Sequence, residues 1–298
     1  MHWNRIGSRI KKVSIFRRGF QVLSTIGINS YIPDFKNFSI YQGPNKGLCA
    51  PGLNCYACPF ARTSCPIGSL QHFIVIRQFP LYVLGFIGAV GALLGRAFCG
   101  WLCPFGLFQE FFKSITRFRL KIQKNWGILK YIILVAMIPI AYLTLEPWFC
   151  KVCPAGTIEG TIPIVLSPLW SDLSKLISYK FFIKIAIAGI FLILFLIIRR
   201  PFCRFMCPLG ALWGLFNRVS AIRMKVDGSG CTKCNLCQEV CPMDIKIYED
   251  PNHYDCIRCL RCVYACPTGV IDVEIMGRAL IHGTVYSSKT KVEKCSVK

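Results

Sequence analysis

Two short cysteine runs near the end of the chain have a spacing that can bind metal. The first begins at Cys231 and reads C-T-K-C-N-L-C-Q-E-V-C-P, and the second ends at Pro267 and reads C-I-R-C-L-R-C-V-Y-A-C-P. Each is a C-x2-C-x2-C-x3-C-P run, the pattern by which thiolates hold [4Fe–4S] clusters. A cubic cluster needs four thiolates that converge from different directions, and one tight loop offers only three. The runs therefore predict two clusters that share their ligands.

The segment from Cys231 to Pro267 resembles a two-cluster ferredoxin over its whole length. In such ferredoxins the fourth cysteine of each run ligates the cluster of the other run. The resemblance implies one cluster held by Cys231, Cys234, Cys237 and Cys266, and a second held by Cys256, Cys259, Cys262 and Cys241. Zinc sites or disulfides are the alternatives for eight cysteines, but zinc does not explain why both runs end in Cys-Pro.

Ten cysteines precede these runs, and most belong to one recurring phrase, Cys-Pro-x-Gly. The phrase begins at Cys65, Cys103, Cys153 and Cys207, and a second cysteine precedes each copy at Cys58, Cys99, Cys150 and Cys203. Proline suits the first turn of a helix, whose free N–H groups favour an anionic object such as a thiolate-ligated cluster. Glycine lets a backbone or a cofactor approach closely. The repetition therefore predicts further metal-binding positions.

The composition is typical of a membrane protein. Hydrophobic residues make up 54% of the 298 residues and charged residues only 17%, against roughly 25% charged in soluble domains. The 19 cysteines indicate metal more than disulfides, because a chain of this length can bury a core without covalent cross-links. Only His72, of the four histidines, lies near an apolar stretch, so a haem held by paired transmembrane histidines is not expected.

Apolar stretches predict four membrane spans, at about 19–32, 79–94, 128–145 and 181–198. Lys and Arg are concentrated in 1–18, 96–130 and 199–230 and are sparse in 33–78 and 146–180. Because cytoplasmic loops carry the excess of positive residues, both termini are predicted to be cytoplasmic. Much of the formal charge of +22 is then a consequence of topology, and no nucleic-acid partner is expected. Residues 105–124 are predicted to form a basic amphipathic helix along the inner surface, with an ordinary connecting helix as the alternative.

This topology divides the remaining cysteines into two groups. Cys99, Cys103, Cys203 and Cys207 face the cytoplasm and form an inner quartet that has enough sulfurs for one more cluster; redox-active thiols or packing cysteines are the alternatives. The outer group offers four of six ligands for another cluster from Cys49, Cys55, Cys58, Cys65, Cys150 and Cys153. Disulfides are the alternative there, since the outer compartment can be oxidising.

These features resemble the polytopic membrane ferredoxin family that includes NapH-type quinol dehydrogenase subunits, NosR-like proteins and a cytochrome oxidase assembly ferredoxin. The resemblance covers F-C-G-W-L-C-P-F-G, F-C-R-F-M-C-P-L-G, the spans that join them and the segment from Cys231 to Pro267. It implies electron transfer between a quinone pool or a cytoplasmic donor and a redox partner. The chain has no room for the extracytoplasmic flavin domain of NosR-like members, and its outer cysteine group is not part of the NapH-type pattern.

The expected fold is mainly α. A four-helix integral membrane domain at 1–225, built from two two-span repeats, precedes an α+β two-cluster ferredoxin-like domain at 226–275 and a tail at 276–298 that contains Cys295. We expect the protein in the cytoplasmic membrane of a prokaryote, with the ferredoxin domain inside the cell. Its expected partners are the membrane, other subunits of a redox complex or a partner oxidoreductase, and a quinone is a further candidate.

The expected function is that of an electron carrier rather than of a complete enzyme, because no nucleophile–base pair or nucleotide-binding fingerprint is present. Arg258 and Arg261 are either a docking surface for a soluble partner or ordinary solvated charge. A bilayer of roughly 30 Å is too wide for one efficient electron hop, so a quinone or closely spaced clusters must lie between its faces. The alternatives are an electron-supplying assembly factor for another metalloenzyme and a redox sensor that uses the outer cysteines.

Overall fold

The computed structural model describes residues 2–31, 40–116, 120, 124–166 and 178–283. The chain forms two compact units. The ferredoxin unit consists of Met1–Phe20, Ala89–Trp101 and Leu212–Lys298, and it contains the eight-cysteine segment. The helical unit consists of Gln21–Gly88 and Leu102–Ala211, and it contains all four Cys-Pro-x-Gly motifs. Cys295 lies outside the described residues.

Helices dominate the fold, as predicted. In chain order they are α1 His2–Ile28, α2 Pro66–Val75, α3 Leu81–Leu94, α4 Ala97–Trp101, α5 Pro104–Ile115, α6 Leu129–Thr144, α7 Trp148–Val152, α8 Pro154–Gly156, α9 Ile162–Val165, α10 Tyr179–Ile197, α11 Pro201–Phe205, α12 Pro208–Phe216, α13 Leu236–Val240 and α14 Arg261–Ala265. A π-helical turn, Thr157–Thr161, joins α8 to α9, and 3₁₀ turns occur at Pro44–Gly47 and Lys124–Ile128.

Two helical segments among the described residues are long and apolar enough to cross a membrane, Trp126–Thr144 and Tyr179–Ile197. They coincide with the predicted spans at 128–145 and 181–198. Large apolar side chains on both are more than half exposed, among them Val135 and Leu143 on α6 and Ile190 and Ile193 on α10. Exposed apolar surface of this extent is unfavourable in water, and the two helices therefore fit a membrane environment.

The other two predicted spans correspond to helices with different properties. Helix α3, at 14 residues, is about 21 Å long and thus shorter than a bilayer core of roughly 30 Å. Helix α1 begins at His2 and ends at Ile28, so the basic tail and the first apolar stretch form one continuous helix. The described part of the chain thus supports a membrane domain with two clear spans, and the four-span arrangement stays a prediction.

Each Cys-Pro-x-Gly motif begins a helix at its proline, which gives α2, α5, α8 and α12. Cys65, Cys103 and Cys153 have the extended backbone of an N-cap residue, with φ near −70° and ψ between 118° and 129°. Proline lacks the N–H that would be unpaired at this position, and its φ is already close to the helical value. The structure therefore confirms the predicted role of the proline.

The basic helix predicted over 105–124 is shorter in the structure. Helix α5 ends at Ile115, and Thr116 has an extended backbone. The Nζ of Lys113 donates to the Leu196 carbonyl at 3.0 Å, which anchors the end of α5 to α10. Of the residues that follow in the predicted helix, 117–119 and 121–123 lie outside the described part of the chain.

A three-stranded antiparallel sheet closes the ferredoxin segment. Strand β1 Ile222–Val226 precedes the first cysteine run and pairs with β2 Ile271–Ile275, which follows the second run. Strand β3 Arg278–Ile281 pairs with β2 across a bulge at Val273 and Glu274. Met224, Ile271 and Val273 are buried, and the sheet thus joins the two ends of the eight-cysteine segment through apolar contacts. Residues 284–298 of the predicted tail are not among the described residues.

Candidate metal centres

The two cysteine runs fold into equivalent loops. Lys233 and Asn235 in the first run have positive φ values of 52° and 60°, and Arg258 and Leu260 occupy the same places in the second run with 47° and 63°. Left-handed backbone is uncommon outside glycine, so its recurrence at matching positions indicates one loop design used twice. Each loop then enters a short helix, α13 or α14, that ends at the cysteine before proline.

The structure brings together the first predicted set of ligands. A cavity beside strands β1 and β2 is lined by Cys231, Cys234, Cys237 and Cys266. Burial, together with the nearby thiols of the other three, raises the pKa of Cys237 to about 11. A thiol of this kind stays protonated at neutral pH without metal, and a bound cation would displace the proton because metal ligation requires the thiolate.

The second predicted set is also assembled in one place. Burial raises the pKa of Cys262 well above its ordinary value, and the charges of neighbouring thiols add to the effect; these belong to Cys259, Cys256, Cys241 and Cys237. The presence of Cys237, from the first set, indicates that the two sets lie within electrostatic range of each other. Proximity of the two sets is expected if each cluster takes its fourth ligand from the other run.

The loop of the second run packs on the helix that carries Cys99. The indole Nε1 of Trp101 donates to the Arg258 carbonyl at 2.9 Å, and a β-carbon at Gly100 would come within 2.4 Å of the Ile257 carbonyl oxygen. Arg96, just before α4, forms a 2.6 Å ion pair with Asp255 and is fully buried. The backbone between Cys256 and Cys259 thus lies directly against the residue that follows Cys99.

Arg258 was predicted to be either part of a docking surface or an ordinary solvated charge, and both predictions are wrong. Its side chain is 3% exposed, and its guanidinium donates to the Leu94 carbonyl at 2.9 Å, the Asn217 carbonyl at 2.8 Å and the Ser220 hydroxyl at 2.8 Å. Burial of this charge is compensated by these bonds, so Arg258 fastens the cysteine loop to the end of α3 and α12 instead of facing solvent. The Nε of Arg261 donates to the Ser14 hydroxyl at 3.1 Å.

Of the inner quartet, Cys99 belongs to the ferredoxin unit and the other three to the helical unit. Within the helical unit, each of the three sulfurs accepts an N–H: Cys103 from Leu53 at 3.4 Å, Cys203 from the Gln109 side chain at 3.2 Å, and Cys207 from Gly210 at 3.3 Å. The Phe105 and Phe202 rings meet edge to face at 5.1 Å. The second and fourth motifs are therefore neighbours, and all four cysteines of the quartet are buried.

Four thiols of the outer group lie close to one another. Cys55, Cys65, Cys150 and Cys153 lie within electrostatic range of one another. Cys49 instead lies beside the hydroxyl groups of Ser64 and Ser69, and Cys58 interacts with Cys55 and Glu159. Burial raises the pKa of Cys58 and that of Cys65 to about 11.

Several polar residues at these thiols were missed by the sequence analysis. The carboxylate of Glu159 accepts the Cys55 N–H at 2.9 Å, and the Gln71 amide oxygen accepts the Cys150 N–H at 3.4 Å. Gln109 donates to Cys203 as described above. Each is a single polar residue outside any cysteine motif, a weak signal that becomes informative only when the tertiary contacts are known.

Among the described residues, no three or more Cys, His, Asp or Glu side chains converge closely enough for a single metal ion. The four thiolates of a [4Fe–4S] cluster bind separate irons at the corners of a cube, and they stand farther apart than the ligands of one zinc ion. The first ferredoxin set surrounds a cavity of this kind. These cysteines therefore fit a cluster by both ligand type and arrangement.

Comparison with known families supports this chemistry. A family described as a 4Fe-4S binding domain matches residues 76–123, 129–168 and 181–226, and one described as a 4Fe-4S dicluster domain matches residues 215–286. The first match covers the segments with the second, third and fourth Cys-Pro-x-Gly motifs, and the second match covers both ferredoxin runs. The prediction that the chain binds [4Fe–4S] clusters is confirmed by these matches.

Similar proteins occur in archaea and bacteria. Two uncharacterised proteins of Methanocaldococcus jannaschii are each 30% identical to the chain. The alignment with the first covers 65% of this chain and 87% of the relative. The alignment with the second covers 69% of this chain and 76% of the relative. The ferredoxin-type protein NapH of Haemophilus influenzae is 28% identical over 59% of this chain and 61% of its own length. No solved structure matches the chain. With its cysteine runs, apolar helices and these matches, the chain belongs to the family of membrane ferredoxin-type proteins with 4Fe-4S domains.

Proposed function

We propose that this iron–sulfur electron-transfer protein passes electrons between its ferredoxin clusters and a quinone, by way of the Cys-Pro-x-Gly cysteines. Bound [4Fe–4S] clusters supply centres that accept and release single electrons. The assignment of the eight ferredoxin cysteines to two clusters belongs to this proposal, as does a third cluster at the inner quartet of Cys99, Cys103, Cys203 and Cys207.

The packing of Gly100 against Ile257 is the observation that carries the proposal. Ile257 lies next to Cys256, and Gly100 lies next to Cys99, so only these two residues separate a ferredoxin ligand from an inner-quartet ligand. A β-carbon at position 100 would come within 2.4 Å of the Ile257 oxygen. The absence of a side chain thus permits the close approach, which short-range electron transfer needs.

A cavity in the helical unit supports a quinone as the reactant on the membrane side. It has a volume of about 380 Å³, and its lining is mainly apolar with a few polar groups from Lys46, Tyr56, His72 and Tyr82. Such a cavity suits a ring that is apolar on its faces and has hydrogen-bond acceptors at two ends. Gly68, which also faces Cys65 and Cys150, lines the same cavity. A quinone bound there would lie next to the outer cysteines.

The proposed topology has four spans and cytoplasmic termini. It rests on the distribution of Lys and Arg along the sequence and on the two clear spans among the described residues. In this arrangement the ferredoxin segment receives or delivers electrons in the cytoplasm. The partner on that side is a soluble redox protein or another subunit of a redox complex.

Anaerobic protein in detergent tests the proposal. The Cys207→Ser variant is expected to lose about four irons while it keeps the EPR signals of the two ferredoxin clusters, and it should no longer reduce a water-soluble quinone after reduction with dithionite. Full quinone reduction by this variant would refute the proposed route. If the unsubstituted protein has all its clusters but does not reduce the quinone, the result would favour an assembly factor instead.

A further inference from the structure

We propose that a further [4Fe–4S] cluster is bound in the helical unit by four of the six outer cysteines, Cys55, Cys65, Cys150 and Cys153. The inference deepens the proposed function, because it adds a centre between the inner quartet and the quinone cavity. Its test by metal content does not depend on whether electrons follow that route.

The four thiols lie within electrostatic range of one another. After burial, the main influences that raise the pKa of Cys150 are the thiols of Cys65, Cys153 and Cys55. For Cys153, Cys55 and Cys65 are again the neighbouring thiols. Cys49 lies instead beside the hydroxyl groups of Ser64 and Ser69, and Cys58 lies beside Glu159 and Cys55. The sequence alone does not indicate which four of the six outer cysteines are ligands, and the tertiary contacts favour this set.

Two glycines make room between these cysteines, and each faces a cysteine from the other half of the helical unit. A β-carbon at Gly68 would lie 3.8 Å from both Cys150 Sγ and Cys65 Cβ, and one at Gly156 would lie 3.4 Å from Cys55 Sγ. The first and third Cys-Pro-x-Gly motifs are therefore reciprocal. Any larger side chain at either glycine would extend among the sulfurs, into the space that a cofactor would need.

Backbone N–H groups favour negative charge at these sulfurs. The N–H groups of Gly68, Ile67 and Asn54 bond to the Cys65 sulfur, and those of Gly156 and Ala155 bond to the Cys153 sulfur. Lysines add to the effect, because Lys184 lies near Cys55 and Cys150, and Lys46 lies near Cys58 and Cys55. The positive surroundings would offset the net negative charge of a cluster with four thiolates.

A buried amide without a protein partner provides independent support. Asn54 is fully buried, and neither its side-chain oxygen nor its nitrogen has a hydrogen-bond partner among the described residues. The Gln71 Nε2 is likewise without one there. Buried polar atoms are nearly always paired in folded proteins. Cluster sulfides would provide acceptors for these N–H groups, since Asn54 adjoins Cys55 and Gln71 contacts Cys150.

The same stretch of backbone connects this site to the inner quartet. The Leu53 N–H donates to Cys103 Sγ at 3.4 Å, and Cys55 follows two residues later. Two residues of extended chain span only about 7 Å. The outer site and Cys103 are therefore much closer to each other than the opposite faces of a bilayer roughly 30 Å thick, a separation suited to electron transfer between centres at these two positions.

The test compares serine substitutions within the outer group in anaerobic, full-length protein. Cys150→Ser and Cys55→Ser are each expected to lose about four irons and four sulfides per chain and one set of Mössbauer and EPR signals. Cys49→Ser and Cys58→Ser are matched controls that should keep them. Unchanged iron in the first two variants, equal loss in the controls, stoichiometric zinc, or a disulfide between these cysteines in the anaerobic protein would overturn the proposal.

A second variant covers the case in which loss of a cysteine prevents folding. Asn54→Leu keeps every thiol and removes the buried amide. It should shift the reduction potential of one cluster to a more negative value, because hydrogen bonds to cluster sulfur raise that potential. The iron content should not change. If all potentials stay the same in this variant, Asn54 does not contact a cluster and the proposed site is wrong. Failure of the electron route alone would instead leave this shift intact and abolish only quinone reduction.

Discussion

The backbone of Gly156 faces the sulfur of Cys55, although the two residues belong to different halves of the chain. A β-carbon on Gly156 would lie 3.4 Å from Cys55 Sγ. The φ of Gly156 is −63°, an ordinary helical value, so the backbone conformation does not require glycine here, and a β-carbon would already be in van der Waals contact with the sulfur. The contact indicates that the third Cys-Pro-x-Gly motif is shaped around a thiol from the region of the first.

We expect Gly156→Val to remove the outer cluster while the remaining clusters stay in place. The added methyl groups would enter the space beside Cys55, and overpacking of this kind costs about 1–3 kcal/mol. Iron and sulfide should each fall by about four per chain. Gly189→Val on α10 is the control, since a β-carbon there meets nothing within 4 Å. Equal iron in the two variants would contradict the prediction.

Gly100→Ala should loosen the contact between α4 and the second cysteine loop. Alanine favours helix more than glycine does by about 1 kcal/mol, so any loss must come from the clash with the Ile257 carbonyl. We expect slower electron exchange between the ferredoxin clusters and the inner quartet, measured by rapid-freeze EPR, with unchanged iron content. Gly88→Ala, where a β-carbon is unobstructed, is the control, and equal rates in the two variants would argue against this contact as the route.

Replacement of Asp255 should destabilise the ferredoxin unit. Asp255→Asn removes the charge that pairs with the fully buried Arg96 at 2.6 Å, and breaking a buried ion pair in this way costs about 3–5 kcal/mol. The measurement is thermal loss of the visible absorbance of the clusters. Glu249→Gln breaks the exposed pair with Lys246 and should leave the melting temperature almost unchanged, because solvent screens such a pair. Similar melting of both variants would show that the buried pair is not important.

Replacement of one ligand from each ferredoxin set should remove one cluster each. Cys234→Ala and Cys259→Ala are expected to lose about four irons apiece, and the EPR signals that remain should differ between them because each variant keeps the other cluster. The interaction between the two cluster spins should vanish in both variants. Full iron content in either variant would contradict the ligand sets.

A reporter fused after residue 283 tests the orientation of the ferredoxin segment. A cytoplasmic location is expected from the excess of Lys and Arg in 1–18, 96–130 and 199–230. An alkaline phosphatase fusion should therefore be inactive and a fluorescent protein fusion bright. The opposite result would invert the proposed topology.

Local features of the fold could be predicted from the sequence. A helix begins at each of the four Cys-Pro-x-Gly motifs, and two long apolar helices are present, as predicted. These features depend only on residues that are neighbours in the sequence. The predicted helix over 105–124 ends early, at Ile115, where Lys113 donates to a carbonyl of α10, a long-range contact that the periodic pattern does not reveal. The surface position predicted for Arg258 is wrong because its hydrogen-bond partners, Leu94, Asn217 and Ser220, are distant in the sequence and local spacing does not reveal them.

The sequence by itself determined the chemistry of this protein, because ligand type and short-range spacing are properties of a continuous segment. The eight ferredoxin cysteines and the recurrence of Cys-Pro-x-Gly can be recognised in the sequence without knowledge of any tertiary contact. Only the tertiary structure brought Cys55 near Cys150 and Leu53 against Cys103. Cys55 and Cys150 are brought together by helix packing, and residues so far apart along a chain have no spacing rule that predicts their distance.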